Sequence, residues 1–444
     1  MTARDAALTA LLKIEEQGGY SNIVMDEMLT HTDLSATERA MASRLLYGVI
    51  ERRLTLDYLL NKTASTPVKQ MQTNVLEILR LGAYQLVYMD KTPAFAAINE
   101  AVGQTRRFGC GRLSGFVNGV LRRLEREYPA LLDAIPSNDK GLETRYSVPR
   151  AWIRAWRDAY GEECMLGLLE SLDQPPPAYI RVNTVKTTTD AFCRYLTEQG
   201  ILWTEIEGLP DALKIENASA LHNLDEQWSA CYYYQDLASQ WCCQALAPQP
   251  GERIADLCAA PGGKTMTVAQ MMNNTGVVLS GDIHAHKCRT LDKRAKQYGL
   301  DIVSVRQWDA SQPPEIEQVG TFDRVLCDVP CSGMGVIRRK PEIRYKQPES
   351  FADLPDLQLA ILDQGAKLVR PGGVLQYSTC TLRPEENTQV VEAFLRAHPE
   401  FSPRLLPVES CFAAAGLPVS HSITLFPHIH GTDGFFVAGF VRDV

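Results

Sequence analysis

The decapeptide Asp256-Leu257-Cys258-Ala259-Ala260-Pro261-Gly262-Gly263-Lys264-Thr265 follows an apolar run, Arg253 to Leu257, and precedes a helical one, Lys264 to Met272. Strand, glycine turn and helix in that order open a parallel α/β sheet. In such sheets ligands bind beyond the carboxyl ends of the strands, and this loop leaves its strand at that edge. Gly262 and Gly263 permit close backbone approach, and the following helix offers unpaired N–H groups.

The alternation continues downstream. Strands are expected at Val277 to Gly281, Ile302 to Val305, Asp323 to Cys327 and Val374 to Ser378. Helices fit Ala285 to Tyr298, Leu357 to Val369 and Glu385 to Ala397. This pattern predicts a mostly parallel sheet covered on both faces. Asp282, Asp309 and Asp328 then end the second, third and fourth strands. A glycine loop with three acidic strand ends fits a nucleoside ligand, because a carboxylate accepts from two ribose hydroxyls. Adenosylmethionine suits it better than a dinucleotide, since the full G-x-G-x-x-G is missing. The glycine and lysine spacing is also wrong for a Walker loop.

Two cysteines follow strands at the same edge: Cys331 in Asp328-Val329-Pro330-Cys331-Ser332-Gly333 and Cys380 in Ser378-Thr379-Cys380-Thr381. Most strand-end cysteines are small buried apolar residues, and Cys242, Cys243, Cys288 and Cys411 are taken that way. A sulfur nucleophile beside a methyl donor fits one chemistry well. Carbon 5 of cytosine is a poor nucleophile, but thiolate addition at carbon 6 makes it enamine-like, which splits a hard step into easier ones. An isolated thiol has a pKa of about 8.5, so dipoles or a base must help it ionise. Asp328 is expected to meet the ring N3 and amine edge, stabilising the adduct if it carries a proton. Position in the sequence leaves open which thiol attacks.

The chain has 444 residues, 45% hydrophobic and 22% charged, room for two or three domains with real cores. Twelve cysteines without C-x-x-C pairs point to reduced thiols rather than a zinc array. His428 and His430 are expected to share a strand face, with nothing nearby to complete a metal set, so no metal is expected. The amino terminus lacks a secretory core and no apolar stretch spans a bilayer, so a cytoplasmic protein is expected, without membrane contact and as a monomer. The net charge of −8 argues against indiscriminate nucleic-acid coating. Arg106, Arg107, Arg112, Arg122, Arg123 and Arg126 nevertheless cluster, as a solvated helix face or a phosphate-contacting one.

Four segments emerge. Residues 1–130 read as helices throughout, with breaks at Gly18-Gly19, Thr66-Pro67 and Thr92-Pro93. Residues 131–178 form a helical connector bounded by Asp173-Gln174-Pro175-Pro176-Pro177. Residues 179–234 are a small α+β insert, with strands at Ile180 to Asn183 and Leu213 to Ile215 and a helix at Asp190 to Gln199. Residues 235–444 carry the α/β domain.

These motifs, joined by Gly335-Val336-Ile337-Arg338-Arg339, Pro384-Glu385-Glu386-Asn387 and Asp433-Gly434-Phe435-Phe436, resemble the RNA 5-methylcytosine methyltransferase family, also called Nol/Nop/Sun. The helical amino-terminal region resembles the RNA-binding fold of the antitermination factor NusB. The resemblance implies a multidomain protein, with an all-α domain, an α+β insert and a Rossmann-like methyltransferase domain. It implies methyl transfer from S-adenosyl-L-methionine to carbon 5 of a cytosine in 16S ribosomal RNA of the small subunit. Cys380 becomes the nucleophile and Cys331 the residue that helps release product; DNA cytosine-5 methyltransferases use the P-C cysteine instead. Cys258, Ala259, Ala260, Pro261, Gly262, Gly263, Lys264, Asp282, Asp309 and Asp328 become the cofactor site. Val329 and Met334 depart conservatively from the family pattern.

After Cys331 come Arg338, Arg339, Lys340, Arg344 and Lys346. We expect them to contact RNA phosphates, since looped RNA must reach this rim with its target base splayed out. Trp308 is a candidate for stacking on a base, for the adenine pocket or for the core. Two other readings are the same chemistry on transfer RNA and a non-catalytic RNA-binding assembly factor. Intact Cys331 and Cys380 weigh against the latter, since a pure binder needs neither thiol.

Overall fold

The computed structural model describes residues 1–17, 21–30, 32–407 and 416–444. The Gly18-Gly19 break and Cys411 lie outside the described residues. The chain forms two compact units, one of Met1–Asp173 with Arg339–Pro348 and one of Gln174–Arg338 with Glu349–Val444.

The first unit is helical: α1 (Ala3–Gln17), α2 (Ser21–Thr30), α3 (Ala36–Glu51), α4 (Arg53–Thr63), α5 (Thr73–Tyr88), α6 (Ala94–Arg107), α7 (Ser114–Asp133), α8 (Asp139–Tyr146) and α9 (Arg150–Ser171). Leu8, Leu45, Leu46, Leu59, Ile78 and Leu121 meet in its core, the apolar positions whose helical spacing marks the sequence. A capping box starts α3: Ser35 Oγ accepts from Glu38 N and Glu38 Oε2 from Ser35 N, stabilising that helix by about 1 kcal/mol. The connector is not a separate body, since α8 and α9 belong to this unit.

Arg339–Pro348 also folds into it, although its neighbours in sequence belong to the other unit. Trp152 Nε1 donates to Lys346 O (3.1 Å), Ser21 Oγ to Glu342 (2.7 Å), and Tyr345 packs against the helical core.

The second unit holds two sheets. β1 (Ala178–Val182), β2 (Trp203–Ile206), β3 (Leu209–Ile215) and β4 (Tyr232–Tyr234) form the insert in the order β2-β3-β1-β4, covered by α10 (Thr189–Glu198) through Phe192 and Leu196. The large sheet comprises β5 (Arg253–Asp256), β6 (Val277–Asp282), β7 (Val303–Gln307), β8 (Phe322–Asp328), β9 (Val369–Thr379), β10 (Phe401–Pro403), β11 (Ser422–Leu425) and β12 (Phe435–Arg442). Its order is β10-β12-β9-β8-β5-β6-β7, with β11 on β12. β5 to β9 pair parallel, whereas β12 runs antiparallel to β9.

Alternate residues feed opposite faces, as the strand period of two requires. Ile254, Leu326 and Val437 join one core with Trp241 and Leu246 of α11 (Leu237–Leu246) and Met266 of α12 (Gly263–Met271). Ala255, Cys327 and Phe436 join the other with Ile361 and Leu362 of α14 (Leu354–Leu368) and Phe394 of α15 (Thr388–Ala397). α13 (Ala285–Tyr298) matches its expected span. His428 and His430 sit in a helical turn, Pro427–His430, not on a strand, because Pro427 starts a turn that Gly431 ends in the left-handed region.

Candidate active site

The loop from β5 to α12 turns sharply at Gly262, whose φ is +102°; a Cβ there would collide with Leu291 Cδ1, so only glycine fits. The loop is tied across the sheet edge, with Ala259 N donating to Gly281 O (2.8 Å). Asp256, at the end of β5, is buried; its Oδ2 accepts from Thr265 Oγ1 (2.7 Å). Burial pushes the Asp256 carboxyl up to about 7.

A cleft of about 220 Å³ opens beside this loop. Asp256, Ala259, Ala260, Pro261, Gly263, Lys264 and Asp328 line one part of it, and Tyr234, Gln235, Asp236 and Ser239 another. The second group was not anticipated from the sequence. Its signal was the Gln235-Asp236 step before a helix: Asp236 Oδ2 caps α11 by accepting from Ala238 N (2.9 Å). Asp282 and Asp309 stand at the same carboxyl edge. Asp282 accepts from His284 N (2.9 Å), and Asp309 from Ser311 N and Oγ. Trp308 lies against the sheet core with Arg306 over its ring, 4.4 Å from the centroid.

Lys264 is the cation of the cleft. Its Nζ donates to Asp328 Oδ2 (2.7 Å) and to Ser239 Oγ (3.3 Å), and it faces the Phe435 ring at 5.0 Å. Burial works against the ammonium, but the adjacent Asp328 carboxylate outweighs it and holds the Lys264 pKa well above its usual range. Ser378 Oγ donates to the other Asp328 oxygen (2.7 Å). Both oxygens therefore accept, and an acid proton on Asp328 would compete with these donors. The charged donor at this place is Lys264.

Parallel pairing of β8 with β9 puts Asp328 opposite Ser378. Three residues beyond the first and two beyond the second, the Cys331 and Cys380 sulfurs lie 3.2 Å apart, both half-buried. The hydrogen bond to Cys380, burial and the Glu386 carboxylate together hold the Cys331 thiol well above the usual range. Either sulfur can donate in this contact. Cys242, Cys243 and Cys288 are buried, as expected.

The basic run after Cys331 divides. Arg338 is buried and donates to Thr432 O; Arg344, 2% exposed, donates to the carbonyls of Glu51 and Tyr146 within the helical unit. Neither guanidinium can reach a phosphate, which corrects the expected role of both. Arg339 and Lys340 are exposed. In the amino-terminal cluster, Arg107 pairs with Asp5 and Glu100 and Arg123 with Glu127, while Arg106, Arg112, Arg122 and Arg126 are exposed.

Family models described as 16S rRNA methyltransferase RsmB/F, NusB family and RsmF/B-like ferredoxin-like domain match residues 243–441, 1–126 and 148–222 respectively. The chain is 37% identical over 439 residues to a probable ribosomal RNA small subunit methyltransferase B of Bacillus subtilis, covering 98% of each. It is 31% identical over 440 residues to a ribosomal RNA small subunit methyltransferase B of Salmonella arizonae, covering 99% of this chain and 98% of that one. The crystal structure of PH0851 superposes on 99% of this chain and 98% of its own with a TM-score of 0.81 at 25% identity. A methyltransferase homolog from Pyrococcus horikoshii covers 69% of this chain and 99% of its own, with a TM-score of 0.58 at 25% identity.

Proposed function

The chain belongs to the RsmB/F family of 16S rRNA methyltransferases, and from that premise we propose that it methylates carbon 5 of a cytosine in small-subunit ribosomal RNA, in the cytoplasm, through a covalent bond from Cys380. S-adenosylmethionine supplies the electrophilic methyl group. The cleft suits that ligand. Asp256 Oδ1 and Gln235 Nε2 are buried there without a hydrogen-bond partner, an acceptor and a donor awaiting a polar molecule. Ala259, Ala260, Pro261, Gly263 and Lys264 line the cleft, and Asp282 is the proposed acceptor for ribose hydroxyls, with Asp309 at the neighbouring strand end.

The thiol pair carries the reading: two sulfurs 3.2 Å apart, three residues beyond Asp328, to which Lys264 and Ser378 are bonded, and two beyond Ser378. A methyltransferase acting on oxygen or nitrogen needs neither thiol. The pair gives one of its two thiol protons to water and Cys331 keeps the other, so Cys380 adds to carbon 6 as the thiolate. Lys264 is the ammonium that in this scheme stabilises negative charge developing on the pyrimidine. Once Cys380 is bonded to the ring, the hydrogen bond that held the proton on Cys331 is gone. The Cys331 pKa falls when a base is required, its proton passes to water, and the thiolate takes the proton from carbon 5. The carbon–sulfur bond then breaks and frees Cys380.

Exposed Arg339 and Lys340 contact the RNA backbone in this scheme. Bisulfite sequencing of 16S ribosomal RNA, from cells lacking the chain and from cells complemented with it, tests the function. One cytosine should lose and regain its mark. Unchanged ribosomal RNA together with a lost transfer-RNA mark would move the activity to that substrate.

A further inference from the structure

In the Pro384-Glu385-Glu386-Asn387 segment the last two side chains are spent on the thiol loops. Glu386 is 0% exposed, and a buried carboxylate is retained only with strong partners. Its Oε2 accepts from Ser332 N (2.8 Å), the amide following Cys331, and from Gln358 Nε2 (2.9 Å). Gln358 Nε2 also donates to Pro330 O (3.0 Å), so both flanks of Cys331 are tied to this one carboxylate. Arg383 Nη1 holds the other oxygen (3.1 Å), and Tyr377 OH donates to Glu386 O (2.6 Å).

Asn387 does the same for the second thiol. It occupies the cap position of α15, where asparagine ordinarily accepts from the helix's own N–H groups, but its side chain makes no such bond. Its Oδ1 accepts from Thr379 Oγ1 (2.6 Å), and its Nδ2 donates to Thr381 O (3.0 Å), the residues on either side of Cys380. A cross-tie closes the assembly, Ser332 Oγ to Thr381 Oγ1 at 2.7 Å.

We infer that Glu386 and Asn387 are positioning residues that hold the two reacting sulfurs in register, one residue gripping each loop. Because they are neighbours in the chain, a displacement of either loop is felt by the other. This rests on the proposal that Cys380 and Cys331 carry the chemistry.

Glu386→Gln and Asn387→Ala, in the full chain, provide the test. Three readouts are taken: single-turnover methylation of 16S ribosomal RNA, S-adenosylmethionine affinity by calorimetry, and the rate at which diamide oxidises the Cys331–Cys380 pair to a disulfide, read by peptide mass spectrometry. Loss of register slows the chemical step by about 100-fold and slows cross-linking in parallel, while cofactor affinity stays within about twofold. Asn387→Asp, which keeps the acceptor for Thr379 but loses the donor to Thr381, falls between, and serves should either other variant fail to fold. Wild-type cross-linking and turnover in these variants would overturn the clamp, as would a parallel loss of cofactor affinity, the mark of general unfolding. An active Cys380→Ala protein would instead remove the nucleophile assignment beneath it.

Discussion

The sulfurs of Cys331 and Cys380 lie 3.2 Å apart although 49 positions separate them in the chain. The proposed chemistry divides the labour between them. Cys380→Ala should abolish methyl transfer with cofactor binding nearly intact. Cys331→Ala should let a protein–RNA adduct accumulate, seen as a slow band on a denaturing gel. Lost turnover without that band would refute the release role.

Asp256 gives the unliganded protein a pH signature. Its folded pKa, about 7, exceeds its unfolded value of 3.8, so the folded state binds more protons between those limits. Its stabilising contribution is full below pH 3.8 and is lost as pH rises towards 7. Asp256→Asn removes that slope. Its stability relative to wild type should rise by up to about 1.4 kcal/mol per pH unit across this window, measured by urea unfolding. A flat difference would contradict the burial argument.

Asp282 ends β6 at the carboxyl edge of the sheet. Asp282→Ala should weaken S-adenosylmethionine binding about tenfold, the worth of a hydrogen bond to a charged group. Calorimetry with the full chain decides it, and unchanged affinity rejects the ribose assignment.

Arg339 and Arg344, five positions apart, should behave oppositely. Arg344→Ala leaves the Glu51 and Tyr146 carbonyls without a buried donor and should destabilise the helical unit by about 2–3 kcal/mol. The salt dependence of RNA binding should not move. Arg338→Ala should likewise act through packing. Arg339→Ala and Lys340→Ala should leave the melting temperature near wild type, and each should reduce the salt slope of RNA binding by about one. A salt-slope change in Arg344→Ala, or none in the exposed pair, goes against this division.

The sequence determined the α/β architecture, the glycine loop and the helical first unit, because each is a local matter. Period two over a strand, a Gly-Gly turn and helical leucine spacing act within a few residues. α13 falls where its pattern puts it, and β5, β6 and β8 lie within one residue of their expected ends. The strands β10 to β12 escaped notice, because antiparallel pairing of β12 on β9, and of β10 and β11 on β12, is a long-range matter that apolar alternation does not specify.

Only the tertiary structure decided how the chemistry-bearing side chains meet. The parallel register that sets Asp328 opposite Ser378 brings two thiols together; no local pattern carries that register. Lys264, read as part of a cofactor loop, finds Asp328 across it. In the basic run, spacing alone made Arg338, Arg339, Lys340 and Arg344 look alike. Their fates differ because Arg344 meets the carbonyls of Glu51 and Tyr146, on helices remote in sequence, and Arg338 meets that of Thr432, whereas Arg339 and Lys340 stay exposed.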